Sequence, residues 1–151
     1  MAEQAPMSPI PGLDPFVLEL RKFHESGLDK IRKRHQSGVG GLQIVDETTG
    51  LMDQLVMRAW QHSMREASRV KNMDFSRTPP EVCLVAIGGY GRAQLHPKSD
   101  VDILFLHGKK IRPGDEEVIK ISLRSLWDVG LDIGHATRTV ADCIRIASED
   151  L

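Results

Sequence analysis

The chain has 151 residues, 40% of them hydrophobic and 27% charged. That is enough for one hydrophobic core, too little for two comfortable domains, and unlike the composition of a disordered or membrane protein. Twenty Lys and Arg against twenty-one Asp and Glu leave a net charge of −1, which excludes a protein that holds nucleic acid mainly through a basic surface. No window approaches the roughly 18 apolar residues of a membrane span, and the N-terminus lacks the basic and apolar regions of a secretion signal. No membrane partner and a cytoplasmic location are therefore expected. Cys83 and Cys143 lie far apart without metal-ligand spacing and among apolar residues, so both are expected to be reduced, buried thiols.

Residues 1–15 hold four of the eight prolines and read as an extended lead-in. From Phe16 the pattern turns helical, with Phe16, Leu20 and Phe23 on one face and Asp14 and Pro15 as the start signal. Gly27 is expected to end or bend this helix. A short basic piece with Lys30, Arg32, Lys33, Arg34 and His35 follows and reads as a solvated face. After Ser37 to Gly41, the longest helix is predicted from about Thr48 to Val70, where Leu51, Leu55, Val56, Ala59, Trp60, Met64 and Ala67 form one apolar stripe. Lys71 to Pro80 then reads as a linker that cannot remain helical.

Glu81 to Ile87 is a short apolar run between Pro79-Pro80 and Gly88-Gly89, which predicts a buried strand. Val101 to Leu106 predicts a second. Val118, Ile121, Leu123, Leu126 and Trp127 place a helix over Glu116 to Val129, stopped by Gly130. Leu131 to Thr139 suits a third strand and Val140 begins a last helix. The order predicts an α/β or α+β fold with helices flanking a small mixed sheet. It divides into a lead-in (1–15), an N-terminal helical segment (16–78) and a core (79–151) that reads as truncated at its C-terminal end.

The chemistry is concentrated where the first predicted strand ends. At Gly88-Gly89-Tyr90-Gly91 the missing Cβ atoms would let backbone N–H groups approach a phosphate, and Arg92 could add a forked cationic contact. Such a turn can also be glycine-rich for steric reasons alone. There is no phosphate-binding loop of the G-x-x-x-x-G-K type, and Gln94 stands where a dinucleotide-binding turn needs glycine or alanine. The specific signal is Asp100 and Asp102, two carboxylates at the head of an otherwise apolar strand. At period two they share a face, with Cβ atoms roughly 7 Å apart. They are expected to hold one or two Mg²⁺ ions, which accept carboxylate and phosphate oxygens together. Ser99 is a candidate phosphate contact. The pattern predicts metal-dependent transfer of a nucleotide from a nucleoside triphosphate, with attack at the α-phosphorus.

Gly88 to Arg92, Leu95, Pro97 and Ser99 to Asp102 together resemble the nucleotidyltransferase domain of bacterial protein-PII uridylyltransferases, also called uridylyl-removing enzymes. The resemblance continues through Trp127 to His135 and Arg138-Thr139, and Arg34 to Gly38 looks like the family's N-terminal segment. It implies a nucleotidyltransferase fold of the DNA polymerase β-like type. It also implies UTP as donor, a tyrosine of the PII nitrogen-signalling protein as acceptor, and Mg²⁺ as cofactor. Full-length members carry a hydrolase domain that removes UMP and ACT domains that bind glutamine; no segment here corresponds to either. Gln94 departs from the family's usual glutamate. Asp132 is the candidate third carboxylate, or else a cap for the turn after Gly130, and His135 and Arg138 are candidates for supporting the site. Transfer of another nucleotide to another acceptor, or nucleotide binding without turnover, remain alternatives.

Overall fold

In the computed structural model, which describes residues 14–149, the Asp14 carboxylate accepts the Phe16 N–H at 2.8 Å and Pro15 occupies the first turn of α1, Pro15–Gln36. The expected lead-in lies almost wholly outside the described residues, as do 150 and 151. Gly27 does not end α1. A Cβ there would stand 2.5 Å from Leu51 Cδ1, so this glycine lets α1 lie close against the next helix rather than terminating its own.

That helix, α2, spans Gly41–Lys71 and begins well before Thr48. Ile44 and Thr48, both buried, carry the apolar stripe back one turn through Leu51, Leu55 and Ala59. Asn72 closes α2 in the left-handed conformation at φ 50°, donating its N–H to the Ser68 carbonyl. Of the basic run in α1, Lys33 pairs with Asp29 and Arg34 with Glu47, and all five basic side chains are exposed or half-buried.

The strands are β1 (Val82–Ala86), β2 (Val101–His107) and β3 (Ile133–Thr139), in the spatial order β1-β2-β3. β1 and β2 run antiparallel, whereas β2 and β3 run parallel and are joined by α4, Pro113–Val129. A parallel pair cannot be closed by a tight turn, and a helical crossover supplies the reach. α4 begins at Pro113, ahead of the expected Glu116, because Arg112 fastens its start: the guanidinium grips buried Asp115 at 2.7 and 2.9 Å and donates to the Pro79 carbonyl at 2.7 Å. Gly130, at φ +97°, ends the helix as its pattern predicts.

Val101, Ile103 and Phe105 are fully or almost fully buried. They form one hydrophobic core with Val17 and Leu20 of α1, Leu55 and Ala59 of α2, and Leu123 and Leu126 of α4. Trp60 lies 6.3 Å from the Phe105 ring, and Ser63 meets Ser122 at 2.7 Å between α2 and α4. The helices thus cover one face of the sheet. Cys83 sits on the other and is exposed, while Cys143 is half-buried. Both thiols correct the expectation of burial; at Cys83 the reason is that neighbouring strand residues face opposite sides of the sheet, Val82 being buried and Cys83 not.

β3 passes directly into α5, Val140–Glu149. Thr139 and Asp142 form a reciprocal cap, with Thr139 Oγ1 donating to Asp142 Oδ2 at 2.6 Å and the Asp142 N–H returning to Thr139 Oγ1 at 3.1 Å. The Thr139 contact holds the Asp142 carboxyl below the usual carboxylate range. No described helix is long and apolar enough to cross a membrane.

Candidate active site

The turn after β1 coils into a single helical turn, α3, Gly88–Gly91. Gly88 is left-handed at φ +60°, a conformation that side chains with a Cβ resist. At Gly91 the demand is spatial: a Cβ would stand 2.6 Å from the Ala86 carbonyl oxygen, a backbone atom that cannot move aside. Tyr90 points the other way, into the core. Its hydroxyl donates to Asp53 of α2 at 2.8 Å, and the Leu95 N–H reaches Thr49 of the same helix at 3.3 Å. Burial, and then the Asp53 carboxylate, push the Tyr90 hydroxyl well above its ordinary range, so it remains a protonated donor. α2 therefore anchors the glycine turn from behind.

Tyr90→Phe keeps the ring and removes this tie. Because Asp53 is exposed and can turn to water, the expected loss is about 1 kcal/mol of folding stability, measurable by urea denaturation. No loss would mean that the hydroxyl does not fasten the turn.

Asp102 lies in β2 and is half-buried, while Asp100 lies just before the strand and is exposed. The Ile87 N–H donates to the Asp102 carbonyl at 3.0 Å, which brings the end of β1 beside Asp102. In the parallel register Asp102 pairs with Gly134 of β3. The Asp102 carboxylate therefore occupies a slot between two glycines. A Cβ on Gly88 would stand 2.8 Å from Asp102 Oδ2, and a Cβ on Gly134 would overlap Oδ1 outright. Among the described residues Arg21 Nε is the sole fully buried side-chain polar atom without a partner, so the Asp102 oxygens are not stranded in the core.

Asp132 precedes β3 rather than lying within it, and it is exposed. Its carbonyl accepts the Val101 N–H at 2.9 Å, which sets it beside Asp100 at the entrance to the parallel pair. Among the described residues no three acidic, histidine or cysteine side chains converge as a metal-binding group. Asp132 and Ser99 instead line a cavity of about 280 Å³ with His24, His96 and Leu131. Neither Asp102, Gly88 nor Arg92 is among its described walls. Arg92 is exposed and its Nε donates to Gln94 Oε1 at 3.3 Å, while Gly89 faces the Gln94 backbone. His135 is exposed and meets Trp127 edge-on at 5.5 Å, on the sheet face opposite Asp102. The geometry thus gathers Gly88, Gly89 and Asp102, and sets Asp100 and Asp132 side by side at the head of the same strand pair. Gly134, Tyr90, Asp53 and Thr49 complete the surroundings. Tyr90 and Gly134 fall inside the segments that carry the family resemblance, whereas Asp53 and Thr49 do not.

Carboxylate oxygens that are accessible, unobstructed by a neighbouring Cβ and held at a strand end are donors that suit Mg²⁺. The slot between the glycines is room that any side chain would fill.

Curated proteins similar to this chain share one description. Over 122 residues it is 36% identical to a bifunctional uridylyltransferase/uridylyl-removing enzyme of Caulobacter vibrioides, covering 79% of this chain and 12% of the relative. Proteins of the same name match from Erythrobacter litoralis, at 39% over 139 residues, and Nitrosococcus oceani, at 34% over 135. These cover 91% and 89% of this chain, and 15% and 14% of the relatives. The chain is similar to one segment of these enzymes over most of its own length. It spans about an eighth of the length of the curated family members it matches. No family model and no solved structure matches it.

Proposed function

We propose that the chain carries the transfer site of a metal-dependent uridylyltransferase, which moves UMP from UTP onto a tyrosine hydroxyl of the PII signalling protein. The observation that carries this reading is the Asp102 carboxylate, set in a glycine slot beside the Gly88 turn. The shared description of the relatives as uridylyltransferases supports the choice of nucleotide. A small mixed sheet with Asp102 on its central strand also supports the nucleotidyltransferase fold of the DNA polymerase β-like type.

Asp100 and Asp102 would hold one or two Mg²⁺ ions. Bound metal would supply positive charge that favours the ionised acceptor hydroxyl and offsets charge building on the triphosphate. The chain's own part is placement. Gly88 and Gly89 keep side chains away from the triphosphate, Arg92 can swing from Gln94 to a phosphate oxygen, and α2 holds the turn through Tyr90 and Leu95. The acceptor oxygen attacks the α-phosphorus, its proton passes to solvent, the bond to the β-phosphate oxygen breaks and pyrophosphate departs. Asp132, beside Asp100 at the head of the parallel pair, is assigned as the third carboxylate, and Ser99 as a phosphate contact.

The test is to incubate the protein with PII, Mg²⁺ and each of UTP, ATP, CTP and GTP labelled at the α-phosphate. Label should pass to PII from UTP and depend on Mg²⁺. Preferential labelling from ATP, or binding of nucleotide without any labelling of PII, would reject the assignment.

A further inference from the structure

We infer that Gly134 is a positioning residue for the Asp102 carboxylate, and that its missing side chain, rather than any backbone demand, is what the site uses. The inference rests on the reading of Asp102 as a metal ligand. Gly134 lies within β3 as the direct parallel partner of Asp102, so a side chain at either position projects from the same face of the sheet. Its backbone is not in the left-handed region; the described glycines with positive φ are Gly38, Gly88 and Gly130. A residue with a Cβ could therefore adopt this conformation unstrained, and would strengthen a strand that glycine weakens.

What a Cβ would meet is the Asp102 side chain itself. It would overlap Oδ1 and stand 3.4 Å from Cγ. On the opposite side of the same carboxylate, Gly88 leaves only enough space for a hydrogen, since a Cβ there would lie 2.8 Å from Oδ2. The carboxylate is thus bounded on both sides, and a methyl group at 134 must turn it out of the slot. Asp102 can yield by rotating about its own side-chain bonds, so the fold survives while the oxygens change place. Gly88 cannot be tested so cleanly, because substitution there also strains the backbone.

The experiment uses Gly134→Ala, Asp102→Ala and the double variant, with Mn²⁺ as the metal probe and UTP present. Free Mn²⁺ is followed by electron paramagnetic resonance and thermal unfolding by circular dichroism. Gly134→Ala should raise the Mn²⁺ dissociation constant at least tenfold while the chain remains folded. Coupling between the two positions provides a readout independent of metal. In the Asp102→Ala background the added methyl has room, and Gly134→Ala should raise the melting temperature by limiting the unfolded chain. With Asp102 present that gain should shrink or reverse. A Mn²⁺ affinity within twofold of the parent, or the same shift in melting temperature in both backgrounds, would overturn the proposal. Undiminished Mn²⁺ binding by Asp102→Ala would overturn the metal reading instead, and the melting comparison would then decide by itself whether Gly134 sets the carboxylate's place.

Discussion

Asp102→Ala is expected to lower the proposed uridylyl transfer by about a thousandfold or more, because loss of a proposed metal ligand would remove several kcal/mol of charge stabilisation and each 1.4 kcal/mol is tenfold in rate. Asp100→Ala should have an effect of the same order. Neither change should cost much stability. Asp100 is exposed, and Asp102 is half-buried, its oxygens not stranded in the core. Initial rates of label transfer, measured beside urea denaturation of the same samples, separate the two effects. Asp102→Asn keeps the shape and drops the charge, so it should lose nearly as much activity as alanine. A variant at either position that transferred at near-parental rates would remove the paired-carboxylate mechanism.

The largest expected loss of stability is at Phe105, at the centre of β2 and wholly buried. Phe105→Ala should cost about 3–5 kcal/mol through lost burial and the cavity left beneath Trp60 and the helices. A domain of this size has about 5–15 kcal/mol in total, so the variant should be unfolded in part at moderate temperature. The check is a fall in the urea midpoint with an unchanged slope. Cys83→Ala, on the exposed face of the same sheet, should stay within about 0.5 kcal/mol of the parent. Equal losses at the two positions would mean that the helices do not cover one face alone. Because Asp102 shares β2 with Phe105, this core is also what holds the carboxylate at its height above the sheet.

The contrast between Phe105 and Cys83 shows why the sequence pattern was informative to different depths along the chain. The apolar run bounded by Pro79-Pro80 and Gly88-Gly89 sufficed to place β1, the apolar run Val101 to Leu106 to place β2, and Gly130 to end α4, since local backbone preferences act over a few residues. They did not reveal which sheet face would be covered. That depended on α1, α2 and α4 packing together on a single side, and it left Cys83 exposed. Gly27 misled for a similar reason. Its role is set by Leu51, which is distant in sequence and adjacent only after α1 and α2 have packed.

At the candidate site the same division holds. By itself the sequence determined which residues could do chemistry: the glycine turn and the aspartates at period two, whose alternation along one strand is a local property of extended backbone. It also carried the family resemblance over most of the chain. Only the tertiary structure decided which of those residues meet. Strand pairing brought Gly134 against Asp102 and made a slot of two glycines; it set Asp132 beside Asp100 at the entrance to the sheet, where it lines a cavity with Ser99. Register between strands is fixed by contacts remote in sequence, and a one-residue slip would turn Gly134 to the opposite face and close the slot around Asp102.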